Sequence, residues 1–451
     1  MANHARAPTG QAGQATLQMR PQQLIQGIRA DLRRDTERGR LVRSAAMTAA
    51  LKIGATLLAF TASLLYARAL GPHDYGLYAY VIAWTAVLGI PASLGLPAYL
   101  IREGARRPES LKWLLHWANR RVIGAGLLAA AALASAVFIP AAAGARWLFV
   151  IAAPLPLLGN LAAIRVSLLR VQGAFFHSQW PQLLLAPASM LAVLLALWFW
   201  QGRLTATDLT VVMTLSALAP LVINELQLHR IRGFSSKVAP TATTLRQALP
   251  FMWLGMLYLV NSRVDLIMLG ALQGAQASGV YSVATRAADL VTFFLIAANT
   301  VIVPRIAHLY QQGEHAKLQR LISGAVSRVF LLTLPVALVF AVFARPLIEF
   351  LYGPAYAPGA IALQILALAQ LFNVFAGPTG NILNMTGHER LSMTGVGISV
   401  AVNVTLNALL IPRFGVEGAA IATGASLAAW NILLWYWIRN RLGLRPSVLY
   451  Q

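Results

Sequence analysis

The sequence contains no cysteine. That removes disulfides, thiolate nucleophiles and cysteine-based zinc sites from consideration. Acidic residues are nearly as scarce, 14 in 451 positions, and no two of them stand in an arrangement that suits paired-carboxylate acid–base work. The eight histidines sit mainly at expected helix ends or in loops, without metal-ligand spacing. No catalytic group, metal or cofactor is therefore expected. Polar stretches long enough for a soluble domain are missing as well. Hydrophobic residues make up 58% of the chain, a share that ordinary soluble domains do not reach.

What fills the space is a series of about twelve apolar segments. A membrane-crossing helix needs about 20 such residues. The segments fall near 44–70, 78–101, 120–142, 147–169, 180–201, 207–228, 247–272, 279–304, 322–344, 360–384, 391–411 and 417–438. The expected fold class is an all-α polytopic membrane protein. Residues 1–40 are basic and carry no apolar core, so no cleavable signal peptide is expected. Leu24, Ile25, Ile28 and Leu32 share one face of an Arg-rich stretch, the pattern of a helix lying in the inner interface.

The net charge is +22, and its placement carries the information. With both termini inside, 28 Lys and Arg fall on inner segments and 5 on outer loops. The positive-inside rule thus puts both ends in the cytoplasm and requires an even number of spans. Charge at these membrane edges faces anionic inner-leaflet lipid, and a nucleic-acid partner is not expected. Trp435, Tyr436 and Trp437 read as an interfacial anchor.

The second half of the chain echoes the first. Leu70-Gly71-Pro72 and Gly76-Leu77-Tyr78 between spans one and two correspond to Leu269-Gly270 and Gly279-Val280-Tyr281 between spans seven and eight. Leu169 to Gly173 corresponds to Leu383 to Gly387. Six spans separate the members of each pair, so the halves share one orientation, as in transporters built from parallel repeats with a site between two lobes. The expected organisation is a basic tail (1–41), a six-helix lobe (42–229), a cytoplasmic linker (230–246), a second six-helix lobe (247–440) and a short tail (441–451).

Four passages make the pattern more specific. They are Ala67-Arg68-Ala69-Leu70-Gly71-Pro72 through Tyr78, with Gly95-Leu96 and Ile101-Arg102; Asp265 to Gly270 with Gly279 to Ala284; Leu351-Tyr352-Gly353-Pro354-Ala355-Tyr356; and Asn403, Asn407, Ile411-Pro412, Gly415 and Gly418 to Thr423. In this order the chain resembles an oligosaccharide flippase of the polysaccharide-biosynthesis branch of the multidrug/oligosaccharidyl-lipid/polysaccharide exporter superfamily. The resemblance covers about 42–438. It implies two pseudo-symmetric lobes around a central cavity and alternating access. The implied cargo is a polyprenyl-pyrophosphate-linked oligosaccharide, moved across a bacterial inner membrane for O-antigen, capsule or exopolysaccharide assembly beside a polymerase machinery. The related lipid II flippases typically carry two further helices, for which this chain has no room.

Ionisable groups at membrane depth are costly and are suspects for function. Here they are Lys52, Arg263, Asp265, Arg286 and Asp289. Counting along the hairpin of spans seven and eight places Arg263 level with Asp289 and Asp265 level with Arg286, so these are the expected cross-helix pairs; Arg286 and Asp289 can also pair at i, i+3. Two readings stay open: locked ion pairs, or arginines that bind pyrophosphate while Asp265 and Asp289 exchange a proton or sodium ion. Lys52 either meets a phosphate or snorkels to the inner interface. Arg165 lies at an inner helix end, a candidate for substrate entry. Asn261, Gln370 and Asn373 either pack helices or touch sugar. The rival functions are an ion-coupled cation antiporter, which wants acids in the amino-terminal lobe, and a membrane enzyme, which wants substantial loops bearing catalytic groups. The chain offers neither.

Overall fold

The computed structural model describes residues 37–138, 144–230 and 245–447, the side chains of 37–46, 48 and 49 excepted. The tail helix expected around Leu24–Leu32, linker residues 231–244 and the last four residues lie outside them. All regular structure among the described residues is helical, the form in which a chain in lipid satisfies every backbone polar group within its own segment.

Nine helical segments among the described residues are long and apolar enough to cross a membrane. Three of these hold two spans each. The helices Glu37–Ser93, Leu249–Asp289 and Glu389–Leu442 run to 57, 41 and 54 residues, against about 20 for one crossing. Each is folded back at one glycine with non-helical backbone angles: Gly71 (φ 75°), Gly274 (φ 85°) and Gly415 (φ 53°). Residues with a Cβ are strained at such φ, whereas glycine is not. Pro72 then opens the returning helix after Gly71, where its missing N–H costs nothing. Three hairpins and six further segments give twelve crossings, in two lobes of six.

The lobes meet tip to tip. A Cβ on Gly76 would stand 1.8 Å from the Ala275 carbonyl oxygen, and a Cβ on Gly279 would stand 1.9 Å from the Pro72 carbonyl oxygen. Backbones approach this closely only because both residues are glycine. Gly71 and Gly274, Pro72 and Ala275, Gly76 and Gly279, and Tyr78 and Tyr281 are all one repeat length apart. The contact is therefore reciprocal under the repeat.

Two polar links reinforce the same end. Arg68 donates through Nε to the Leu351 carbonyl at 2.7 Å and through Nη2 to the Phe350 carbonyl. The Tyr356 hydroxyl donates to the Ala67 carbonyl at 2.8 Å. Arg68 thus caps the C-terminal end of the helix Ala344–Tyr352, where the helix dipole favours a cation. At the opposite end Gly95 abuts the backbone of Ala248 and Met252, joining span two to the start of span seven.

Candidate functional site

Below the glycine seam, a cavity of about 390 Å³ opens between the lobes. The amino-terminal lobe supplies Tyr75, Tyr78 and Met213; the carboxy-terminal lobe supplies Arg263, Asp265, Arg286 and Asp289, with Asn261 and Gln370 on the same wall. At about 1.5 Å per residue the four charges lie roughly 14–22 Å along their helices from Gly274, near the middle of a hydrocarbon core about 30 Å thick.

The expected charge pairs do not form. No N···O approach within 4.0 Å joins Arg263 to Asp289, Asp265 to Arg286, or Arg286 to Asp289. Counting residues from a turn fixes depth, but not the direction in which a side chain leaves its helix. Asp265 is 5% exposed, and its oxygens are taken up by groups other than the arginines. Its Oδ2 accepts from the Tyr281 hydroxyl at 2.6 Å and from the Thr423 hydroxyl at 3.0 Å, and its Oδ1 accepts from the Leu266 N–H at 2.8 Å. Arg286 and Asp289 are instead open to the cavity. The Arg263 Nε is buried and has no hydrogen-bond partner. The charged wall of the cavity thus carries two guanidiniums and two carboxylates, of which Asp265 is already held by three donors.

The amides divide in the same way. Asn261 lines the cavity and accepts from the Ser399 hydroxyl at 3.2 Å. Gln370 lines it too and accepts from Asn373 at 3.3 Å, while Asn431 donates to Asn373 at 3.0 Å. Asn373 is thus a link between helices, one step behind the wall. Asn403, Asn407 and Ser426 form a buried network of the packing kind.

Two candidates fall outside the cavity. Arg165 donates to Glu225 at 2.6 Å, to Asn119 at 2.7 Å and to the Leu161 carbonyl at 3.0 Å; it is buried and its donors are committed within the amino-terminal lobe. Lys52 is exposed, and about 28 Å of helix separates it from Gly71. That distance brings it to the far interface, where a lysine snorkels. It lines neither this cavity nor the one beside it.

Sequence reasoning passed over the tyrosines. Tyr75 and Tyr78, whose rings stand 6.2 Å apart, entered only as markers of the repeat. Their i, i+3 spacing directly after a helix break was the available signal that both face one way.

Comparison with known proteins gives a consistent picture. A family model described as polysaccharide biosynthesis protein matches residues 41–310, and a second, described as MatE, matches residues 250–409. The chain is 31% identical over 184 residues, 40% of its length, to an uncharacterised membrane protein of Methanocaldococcus jannaschii. It is 26% identical over 187 residues, 41% of its length, to a probable low-salt glycan biosynthesis flippase, Agl15, of Haloferax volcanii. These matches span 36% and 39% of the two relatives, less than half of either. Among solved structures, the fold is similar to an inward-facing multidrug resistance MATE family transporter of the MOP superfamily. That match has a TM-score of 0.73 and 16% identity, and covers 88% of this chain and 98% of the other. It is also similar to the lipid II flippase MurJ in an inward closed conformation, with a TM-score of 0.67 and 17% identity, covering 87% of each chain.

Proposed function

We propose that this chain, which belongs to the polysaccharide biosynthesis protein family, flips a polyprenyl-pyrophosphate-linked oligosaccharide from the inner to the outer leaflet of a bacterial inner membrane. The movement is alternating access of the two lobes, and the product feeds surface polysaccharide assembly by polymerising enzymes. One observation carries the reading: Arg263 and Arg286 stand at mid-membrane on the lobe boundary with no carboxylate of the described residues within 4.0 Å. Guanidiniums offer a rigid fork of donors that suits phosphate, and a cation at this depth without a direct ion pair is expensive unless an anion arrives to pair with it. Asn261 and Gln370 are placed to reach sugar hydroxyls. Asp289, open beside Arg286, and Asp265, held by its three donors, are the groups through which a proton or sodium ion would couple. Basic residues on the inner segments hold the protein against anionic lipid. In this reading both termini are cytoplasmic.

Reconstitution in sealed liposomes with a labelled polyprenyl-pyrophosphate oligosaccharide tests this, with exposure to an impermeant probe as the readout. Protein-dependent exposure is expected, lowered about tenfold or more by Arg263→Ala or Arg286→Ala, since charge-assisted hydrogen bonds are the strong ones. The second reading, a cation antiporter, draws on the MatE match and on Asp265 and Asp289. Gradient-driven efflux of a cationic dye, with no lipid exposure for several glycans, would establish it instead.

A further inference from the structure

A second cavity, about 290 Å³, lies within the amino-terminal lobe. It shares Tyr75, Tyr78, Met213 and Arg286 with the first, so Arg286, a residue of the other lobe, closes its mouth. The rest of its wall has a different chemistry. Among the described residues no acid, lysine or histidine lines it; the wall is mainly Ala, Leu, Pro and Met, and its polar groups are Tyr66, Gln182, Ser63 and Ser216.

Two of these polar groups have no hydrogen-bond partner among the described residues, and Tyr78 has only a weak one. The Tyr66 hydroxyl is buried and has no hydrogen-bond partner, a state that costs free energy until something satisfies it. The Tyr78 hydroxyl donates to the Met213 sulfur at 3.1 Å, and a thioether is a weak acceptor that an oxygen displaces. Gln182 makes no side-chain hydrogen bond among the described residues. It sits in a π-helical turn, Pro181–Leu185, a distortion that is frequent at functional sites.

A prenyl chain here would leave these groups unpaired, and a second phosphate would find no cation beyond Arg286. A pyranose fits both requirements. Its C–H faces pack on tyrosine rings, and its rim of hydroxyls donates and accepts. The volume lies just below the usual range for small-molecule pockets, roughly 300–1,000 Å³, and so suits one ring rather than a repeat unit. We infer that this cavity holds the first sugar of the cargo, the one bonded to the phosphate at Arg286, and selects it by its hydroxyl pattern. The inference rests on the flippase reading above.

The test compares binding of polyprenyl pyrophosphate, bare and bearing one hexose, to the full chain in detergent. Tyr66→Phe and Gln182→Ala are each expected to weaken the hexose-bearing lipid about two- to twelvefold, the span of one hydrogen bond, and to leave the bare lipid unchanged. Arg286→Ala is expected to weaken both lipids. Variants that bind both lipids as the wild type does, or that lose both equally while remaining folded, would overturn the sugar site. Wild-type protein that binds neither lipid would sink the flippase reading itself. If a variant fails to fold, single-deoxy hexoses on the wild type decide the matter: equal affinity for all of them overturns the inference.

Discussion

Asp265 sets the terms at the scale of the residue. A carboxylate 5% exposed at mid-membrane is tolerable because Tyr281, Thr423 and the Leu266 N–H all donate to it. Hydrogen bonds to a charged group contribute about 1.5–3 kcal/mol each. Tyr281→Phe is therefore expected to lower thermal stability in detergent by that order, and Thr423→Val by less, given the longer contact. Equal unfolding temperatures for Tyr281→Phe and wild type would mean that the bond at 2.6 Å contributes nothing. All four hairpin charges were legible in the sequence, because ionisable side chains are rare at membrane depth and stand out. Their partners were not. Tyr281 and Thr423 lie 142 positions apart, and only the packing of span twelve against the hairpin brings both to Asp265. The partner of Arg165 was hidden for a related reason: Glu225 is 60 positions away and meets it through helix packing, which charge counting does not see.

At the scale of the element, the hairpins matter most. Their existence was legible from apolar length and from the repeated glycines, and the break at Gly274 falls in the expected gap between spans seven and eight. How two hairpin tips pack was not legible, since a glycine looks the same in sequence whether it faces lipid or another backbone. The seam gives a sharp expectation. Gly76→Ala puts a methyl group 1.8 Å from a carbonyl oxygen, so the tips must part. Arg68→Ala removes two bonds from the same end. Both changes are expected to raise the rate at which an impermeant thiol reagent, added from outside, reacts with Ser282→Cys in the cavity wall, by about tenfold for each 1.4 kcal/mol of seam lost. The absence of native cysteine makes this a single-site measurement. An unchanged rate in both variants would show that the seam is not the barrier on that side.

The whole molecule is organised by where its positive charge lies. In the orientation proposed from the tally of 28 inner against 5 outer Lys and Arg, the loop holding Arg107 is inside and the loop holding Arg203 is outside. In intact cells, Arg203→Cys is expected to react with an impermeant reagent and Arg107→Cys to react only after permeabilisation; the reverse would invert the topology. Twelve crossings in two lobes could be read from hydropathy and repetition because each lobe obeys the same length rule. The waist could not be read this way, because the halves contribute different things to it. One half brings tyrosines and a neutral pocket; the other brings two arginines and two aspartates.

That difference gives the glycine seam a further meaning. Because Gly76 meets the Gly279 tip as Gly279 meets the Gly76 tip, one kind of half-chain suffices to build it, as in any two-fold contact between identical subunits. A single-copy ancestor pairing with itself could already have closed that seam. The waist needs two unlike halves, so its division of labour could arise only after duplication and fusion had freed each copy to diverge.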